Sequence, residues 1–380
     1  MIGIATRKIG QRKWVMNSQI YKASQPVYDI AKSWDYNYQK GPFFKGPYPP
    51  IPKKAEWEFL GHKLISPLGI AAGPLPNAKW LITYAKLGYG SLIQKTVRSS
   101  AHKSHPSPNI VYVESNRKKI AKSDTLVGFK KYNGSLEKLS ITNSLGNPCK
   151  SPKEWMQEAK KTKQVIKKGQ LFGISVYGTQ KEKTTLEELA KDYAKVAKMA
   201  KEAGAQFIEA NLACPNVKGS ENPFLYRDPE SVMGISRAIK FTIGNLPLVL
   251  KIGYFESFKN LLDVLKAAKG HFEAISAINT IPKKVLDKNG KQILPGRDTS
   301  GICGFVIKDY GIKMVEDLIK AKKLAKYNFE VIGVGGVMRP QDVSNYLNAG
   351  ANHVHSATAV MWNPYLAYET NQYLKNHHGS

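Results

Sequence analysis

The chain has 380 residues, of which 42% are hydrophobic and 23% charged; it can bury a large core and is too apolar to stay disordered. Its 57 basic and 29 acidic residues give a formal charge of +28, which attracts anions, but only eight of the 57 are Arg, and such a lysine-dominated excess reads first as a solvated surface. Three scattered cysteines exclude a disulfide framework or structural zinc site and point to a reducing, cytoplasmic compartment, and no apolar run reaches the ~18 residues a membrane span needs.

Residues 1–60 read as an extended arm. Its first 28 residues hold five cations and no acid, read as a basic surface segment with no secretory pattern. Pro42, Pro47, Pro49, Pro50 and Pro52 then interleave with Tyr36, Tyr38, Phe43, Phe44 and Tyr48. So much proline excludes a long helix, and the aromatics suit anchors on a larger body.

From residue 61 a rhythm begins. Apolar runs at 64–72, 91–96, 171–176, 207–211, 248–252, 274–278, 330–334 and 353–356 read as strands. Helical patterns follow them at 78–87, 153–168, 185–203, 229–243, 257–269, 312–323, 340–348 and 364–375. Eight alternations of buried strand and amphipathic helix predict an α/β fold, a closed (β/α)8 TIM barrel over residues 61–376. Residues 377–380 are set aside as a short tail. Two stretches, 99–150 and 281–310, are too long to be connectors. Both follow strands and so belong to the C-terminal face, where such barrels carry their chemistry. Asn289-Gly290, flanked by Val285-Leu286 and Ile293-Leu294, predicts a hairpin there.

The sharpest segment is Glu209-Ala210-Asn211-Leu212-Ala213-Cys214-Pro215-Asn216. A strand ends at Asn211, and a thiol follows on a proline-stiffened loop between two carboxamides. A partly ionised thiol can accept a proton, and each carboxamide offers a donor and an acceptor, which suits a ligand with amide edges such as a pyrimidine. Lys95 and Lys251 each end a barrel strand, and a buried ammonium needs an anionic partner. Two of them favour a bound anion or an electron-rich cofactor. Asn143, Asn279 and Thr280 add polar groups on the same face.

Glycines gather in the last third: Gly301 and Gly304, then Gly333-Val334-Gly335-Gly336. Met338 stands where a dinucleotide fingerprint needs its third glycine, so a Rossmann reading is weak. Loops after the last two barrel strands commonly hold a phosphate, and Thr358 could add a hydroxyl. His353 and His355 share a strand face, but without nearby carboxylates or thiols no metal site is expected.

Together these residues resemble the FMN-dependent dihydroorotate dehydrogenase family, in particular its soluble class 1 branch with a cysteine base. The resemblance runs from about Leu64 to Tyr368. It rests on Ser66-Pro67-Leu68-Gly69-Ile70-Ala71-Ala72-Gly73, Lys95-Thr96, Asn143-Ser144-Leu145-Gly146, the Cys214 segment, Lys251, Asn279-Thr280, Ser300-Gly301-Ile302-Cys303-Gly304 and the Gly333 loop. It implies FMN at the barrel mouth. Ala71, Ala72, Gly73, Lys95, Thr96, Asn211, Lys251 and Asn279 would lie around its ring, with Gly301, Gly304, Gly335, Gly336, Ala357 and Thr358 toward its phosphate. Lys95, Asn143, Asn211, Asn216, Asn279 and Thr280 would hold a dihydropyrimidine. Cys214 would take a proton from C5 and a hydride would leave C6, with Lys95 also in the catalytic group. Dihydroorotate is the expected substrate, in pyrimidine biosynthesis. The acceptor would be fumarate or a partner subunit, and the assembly a homodimer without membrane or nucleic-acid partners.

The segment departs from the family pattern where Asn147-Pro148-Cys149 follows Gly146 and where Ala357 replaces a glycine. The 281–302 insertion resembles the flavin domain of dihydropyrimidine dehydrogenase, which keeps dihydrouracil open as substrate. A tRNA dihydrouridine synthase and a non-catalytic basic barrel are the remaining alternatives.

Overall fold

The computed structural model describes residues 21, 23, 25–116, 120, 125–180, 183–213 and 224–378. In chain order they form α1 (Trp34–Lys40), β1 (Trp57–Phe59), β2 (His62–Leu64), β3 (Leu68–Ile70), α2 (Ala78–Lys86), β4 (Ser91–Val97), β5 (Ile110–Val113), β6 (Thr125–Phe129), β7 (Ser140–Asn143), α3 (Pro152–Val165), β8 (Leu171–Val176) and α4 (Leu186–Glu202). There follow β9 (Phe207–Asn211), α5 (Pro229–Ile243), β10 (Leu248–Ile252), α6 (Phe258–Ala267), β11 (Ala274–Ala277), β12 (Ile281–Leu286), β13 (Ser300–Gly304), α7 (Lys308–Ala325), β14 (Glu330–Val334), α8 (Pro340–Asn348), β15 (His353–Ser356) and α9 (Leu366–His378).

Eight parallel strands close in the order β10-β11-β14-β15-β3-β4-β8-β9, the TIM barrel read from the sequence. Local chemistry sets the helix starts. Thr185 and Glu188 form a capping box on α4, while Ser151 and Asp228 cap α3 and α5, each followed by a proline at the first helical position. Strand alternation sorts the side chains. Ile208 and Ala210 of β9 pack outward against helices, whereas Phe207 joins Ile93, Val249, Ala274 and Ile332 inside the barrel.

The β1–β2 hairpin closes the barrel's N-terminal end. Phe59 is fully buried there, stacked on His353 with ring centroids 4.8 Å apart. The arm is not uniformly extended: Ser33 caps the two-turn helix α1, and Tyr38 OH donates to Glu154 at 3.0 Å. Ahead of α1, Val27 N–H donates to Met361 O at 2.8 Å, which brings the arm to the opposite, C-terminal face.

The two long insertions meet. Strands β12-β13-β7-β5-β6 close into a second, five-stranded sheet over the mouth. The expected hairpin forms: Leu286 bridges Gln292 around Gly290, and Ile293 N–H donates to Val285 O at 3.2 Å. The ladder partner of the N-terminal half of β12 is β13, with Ile281 opposite Ile302. No helix among the described residues is long and apolar enough to cross a membrane.

Candidate active site

Strand ends and insertion strands together wall one open-mouthed cleft, with about 1150 Å³ of space free of protein atoms, its mouth included. Barrel closure places Ala71, Ala72, Gly73, Lys95, Thr96, Asn211, Lys251, Asn279, Thr280, Gly335, Gly336, Ala357 and Thr358 on its wall, and the second sheet adds Asn143 and Gly304. Gly301 is not on the wall: it packs behind Thr280, whose Oγ1 would lie 2.2 Å from a Cβ at that position. Cys214 and Asn216 lie outside the described residues; the chain is described up to Ala213 on this side.

The carboxamides form one connected group. Asn211 Nδ2 donates to Thr96 Oγ1 at 3.4 Å, and Thr96 Oγ1 shares a 3.0 Å hydrogen bond with Ser175 Oγ. Asn279 Nδ2 donates to Asn211 Oδ1 at 3.4 Å and to Ala213 O at 2.5 Å. The Ala213 N–H returns to Asn211 Oδ1 at 3.3 Å, and Tyr193 OH donates to Asn211 O at 2.8 Å. These bonds fix both amide planes and the backbone immediately before Cys214.

Two ammonium groups are buried here. Lys95 is 8% exposed and Lys251 4%. Lys95 Nζ donates to Asn147 Oδ1 at a long 3.4 Å. Among the described residues the cleft wall carries no carboxylate. Burial of two cations facing a cavity without acids favours an anionic occupant.

The glycine loop is braced from below. Lys308 and Asp342 form a buried ion pair at 2.6 Å, and Asp342 Oδ2 accepts from Met338 N–H at 2.9 Å and Arg339 N–H at 3.2 Å. Ser356 Oγ donates to Val337 O at 2.9 Å. Gly336 has φ +65°, and a Cβ there would lie 2.7 Å from Lys308 Cα. Gly304 has φ +91°, and its Cβ would meet Leu139 O at 2.5 Å. Only glycine fits either backbone. With Ala357 and Thr358 on the adjacent strand end, these turns line one wall of the cleft with main chain, as a phosphate tail requires.

Sequence reasoning missed several wall residues. Asn147, which accepts from Lys95, follows Gly146 in a left-handed turn with φ +54°; the Gly-Asn pair is its only local signal. Cys303 lines the cleft with Asn143 Nδ2 3.5 Å from its sulfur, and burial pushes its thiol pKa up. Tyr28 reaches the cleft from the arm. His353 and His355 are a hydrogen-bonded pair on Ser91: its Oγ lies 2.7 and 2.8 Å from their Nε2 atoms. Burial pushes the pKa of His353 down to about 3 and that of His355 well below the usual range, the latter helped by His353 and Lys251.

A family model for dihydroorotate dehydrogenase matches residues 131–376. Dihydroorotate dehydrogenase of Dictyostelium discoideum is 32% identical over 369 residues, covering 93% of this chain and 98% of that one. The chain belongs to the dihydroorotate dehydrogenase family. The family is flavin-dependent, and its members are oxidoreductases acting on the CH–CH bond of dihydroorotate. The catalytic subunit of dihydroorotate dehydrogenase B (NAD(+)) of Methanocaldococcus jannaschii is 26% identical over 311 residues, 80% of this chain and 87% of that one. The fold is also that of the ligand-free DHODH crystal structure from Eimeria tenella, with TM-score 0.66 at 19% identity over 88% of this chain and 91% of that one.

The wall residues fit a flavin, the cofactor class of the dihydroorotate dehydrogenase family. A flat ring needs bare main chain and an adjacent cation, which Ala71–Gly73 and Lys251 offer. A phosphate needs main-chain turns free of side chains, which Gly304, Gly335 and Gly336 offer.

Proposed function

We propose that this protein oxidises dihydroorotate to orotate with FMN bound in the cleft. The observation that carries the reading is the pairing of two buried ammonium groups with a cleft wall that, among the described residues, carries no carboxylate. It matches an anionic substrate beside an anionic cofactor.

The roles follow from position. Lys95, in the C-terminal half of β4, faces the substrate carboxylate. The carboxamides of Asn143, Asn211 and Asn279, with the Thr280 hydroxyl, bond the amide edges of the pyrimidine and hold its C5–C6 bond in place, and the family resemblance adds Asn216. Thr96 and Lys251 contact the ring, Gly304, Gly335, Gly336, Ala357 and Thr358 surround the phosphate, and Gly301 supports them from behind Thr280. A bound flavin would supply the acceptor for the hydride that leaves C6. Lys251 offers a fixed positive charge where negative charge develops, in a site shielded from water.

Cys214 takes the C5 proton. Among the described cysteines, burial pushes the thiol of Cys149 up to about 11 and raises that of Cys303, so both stay protonated at neutral pH. Neither suits a base. Cys214 immediately follows the Ala213 backbone that Asn211 and Asn279 pin.

The test is turnover with dihydroorotate and dihydrouracil side by side. Oxidation of dihydroorotate is expected to dominate, and Lys95→Met is expected to lose that preference because dihydrouracil lacks the carboxylate. Turnover of dihydrouracil alone would refute the substrate assignment.

A further inference from the structure

Directly beneath the cleft, above the apolar layer of Phe207, Val249 and Ala274, the barrel interior carries a layer of buried polar side chains that the reaction just described does not use. Glu209 occupies an inward position of β9 between Phe207 and Asn211, fully buried, and neither carboxylate oxygen has a hydrogen-bond partner. Two further inward groups are also bare: Ser276 Oγ on β11 and His355 Nδ1 on β15. Register ties them to Lys251. Glu209 lies opposite Val249, one pleat below Lys251 on the neighbouring strand, and Lys251 lies opposite Ser276. Strand spacing and rise put the Glu209 and Lys251 Cα atoms about 8 Å apart, within reach of both long side chains with water between. The Lys251 charge is also felt at His355, whose pKa it lowers.

A buried carboxylate without donors is among the costliest arrangements in a protein, and buried polar groups of this kind are ordinarily joined by ordered water. We infer that Glu209 is a positioning residue, the counter-charge of the Lys251 ammonium. It acts through a small cluster of bound water shared with Ser276 Oγ and His355 Nδ1, in a chamber at the cleft floor, which Lys251 and His355 both line. Glu209 touches neither substrate nor cofactor. By offsetting part of the Lys251 charge, it sets how strongly that ammonium favours a reduced, negatively charged ring over an oxidised one. The inference rests on the flavin reading above.

The experiment compares wild type, Glu209→Gln and Glu209→Asp by spectroelectrochemical titration of the bound flavin. Glu209→Gln removes the negative charge at nearly constant shape. It is expected to favour the reduced flavin about tenfold, an upward shift of about 30 mV for a two-electron couple. Glu209→Asp keeps the charge and is expected to restore the wild-type potential to within threefold. A potential in Glu209→Gln within threefold of wild type overturns the inference, because a merely structural role would not move it. Should the variants fail to fold, a high-resolution crystal structure of the wild type decides. Water bridging the Glu209 carboxylate to Lys251 Nζ supports the inference, and a dry chamber overturns it. Wild-type protein that takes up no flavin would instead refute the cofactor reading, and the crystal structure would still test the chamber.

Discussion

Asn211 and Lys251 are register partners on neighbouring parallel strands, and both side chains open into the same cleft. In the proposed reading, one strand end brings the carboxamide that orients a heterocycle, and the next brings the cation that offsets negative charge developing on the electron acceptor. The Leu212 N–H donates to Lys251 O at 3.0 Å, continuing the pairing one residue beyond β9. The backbone entering the Cys214 loop is therefore tied to the strand that carries the cation.

Lys251→Met tests that pairing. Removing a fixed charge aimed at developing charge costs about 10²–10³-fold in rate when other contacts stay in place. Stopped-flow reduction of the bound flavin by dihydroorotate should slow by that factor, with a smaller loss of flavin affinity.

Gly304→Ala tests the phosphate turn. Positive φ combined with a 2.5 Å approach to Leu139 O leaves no room for a methyl group. Backbone strain of this kind costs about 1–3 kcal/mol, so thermal unfolding should come earlier and purified protein should carry substoichiometric flavin. Full flavin content at unchanged Tm would show that this turn tolerates a side chain.

Asp342→Asn tests the brace under the glycine loop. Breaking a buried ion pair strands the other charge and typically costs about 3–5 kcal/mol. Urea unfolding should show that loss, and flavin content should fall with it because Met338 and Arg339 lose the carboxylate they share.

Acid should destabilise the fold through its two inward histidines. His353 is neutral in the folded state, with its pKa pushed down to about 3, whereas an unfolded histidine titrates near 6.5. Below pH ~6.5 the unfolded chain binds the extra proton, so stability is fully present above that pH and is lost as pH falls toward 3. At pH 5 the loss from His353 alone is about 2 kcal/mol, and His355 adds in the same direction. Urea midpoints measured from pH 8 to pH 5 should be level above 7 and fall below 6.5, with a shallower fall in His353→Gln.

The barrel is legible in the sequence because its signals are local. Segments such as Phe207–Asn211 and Pro229–Ile243 carry their own boundaries, in a short buried run or an Asp-Pro start. The strand-end residues around the cleft are legible for the same reason: a polar residue closing an apolar strand has one place to go in a closed barrel. The second sheet is not, since β12 pairs with β6 in parallel, Lys284 opposite Thr125, across 284 − 125 = 159 residues of chain, and no local pattern specifies that register. Asn289-Gly290 made a turn as read, but the strand it serves pairs with Ser300–Gly304. Glu209 is hidden for a related reason. Alternation places it inward, and only the closed barrel shows that no donor meets it.

The central claim is that a flavin in this cleft takes electrons from dihydroorotate. An anaerobic titration of the purified protein, followed by visible absorbance, tests it most directly. The account predicts a yellow protein whose flavin bands bleach in proportion to added dihydroorotate, with one equivalent per flavin. A colourless protein that takes up no FMN, or a flavin that dihydroorotate leaves oxidised, would contradict it.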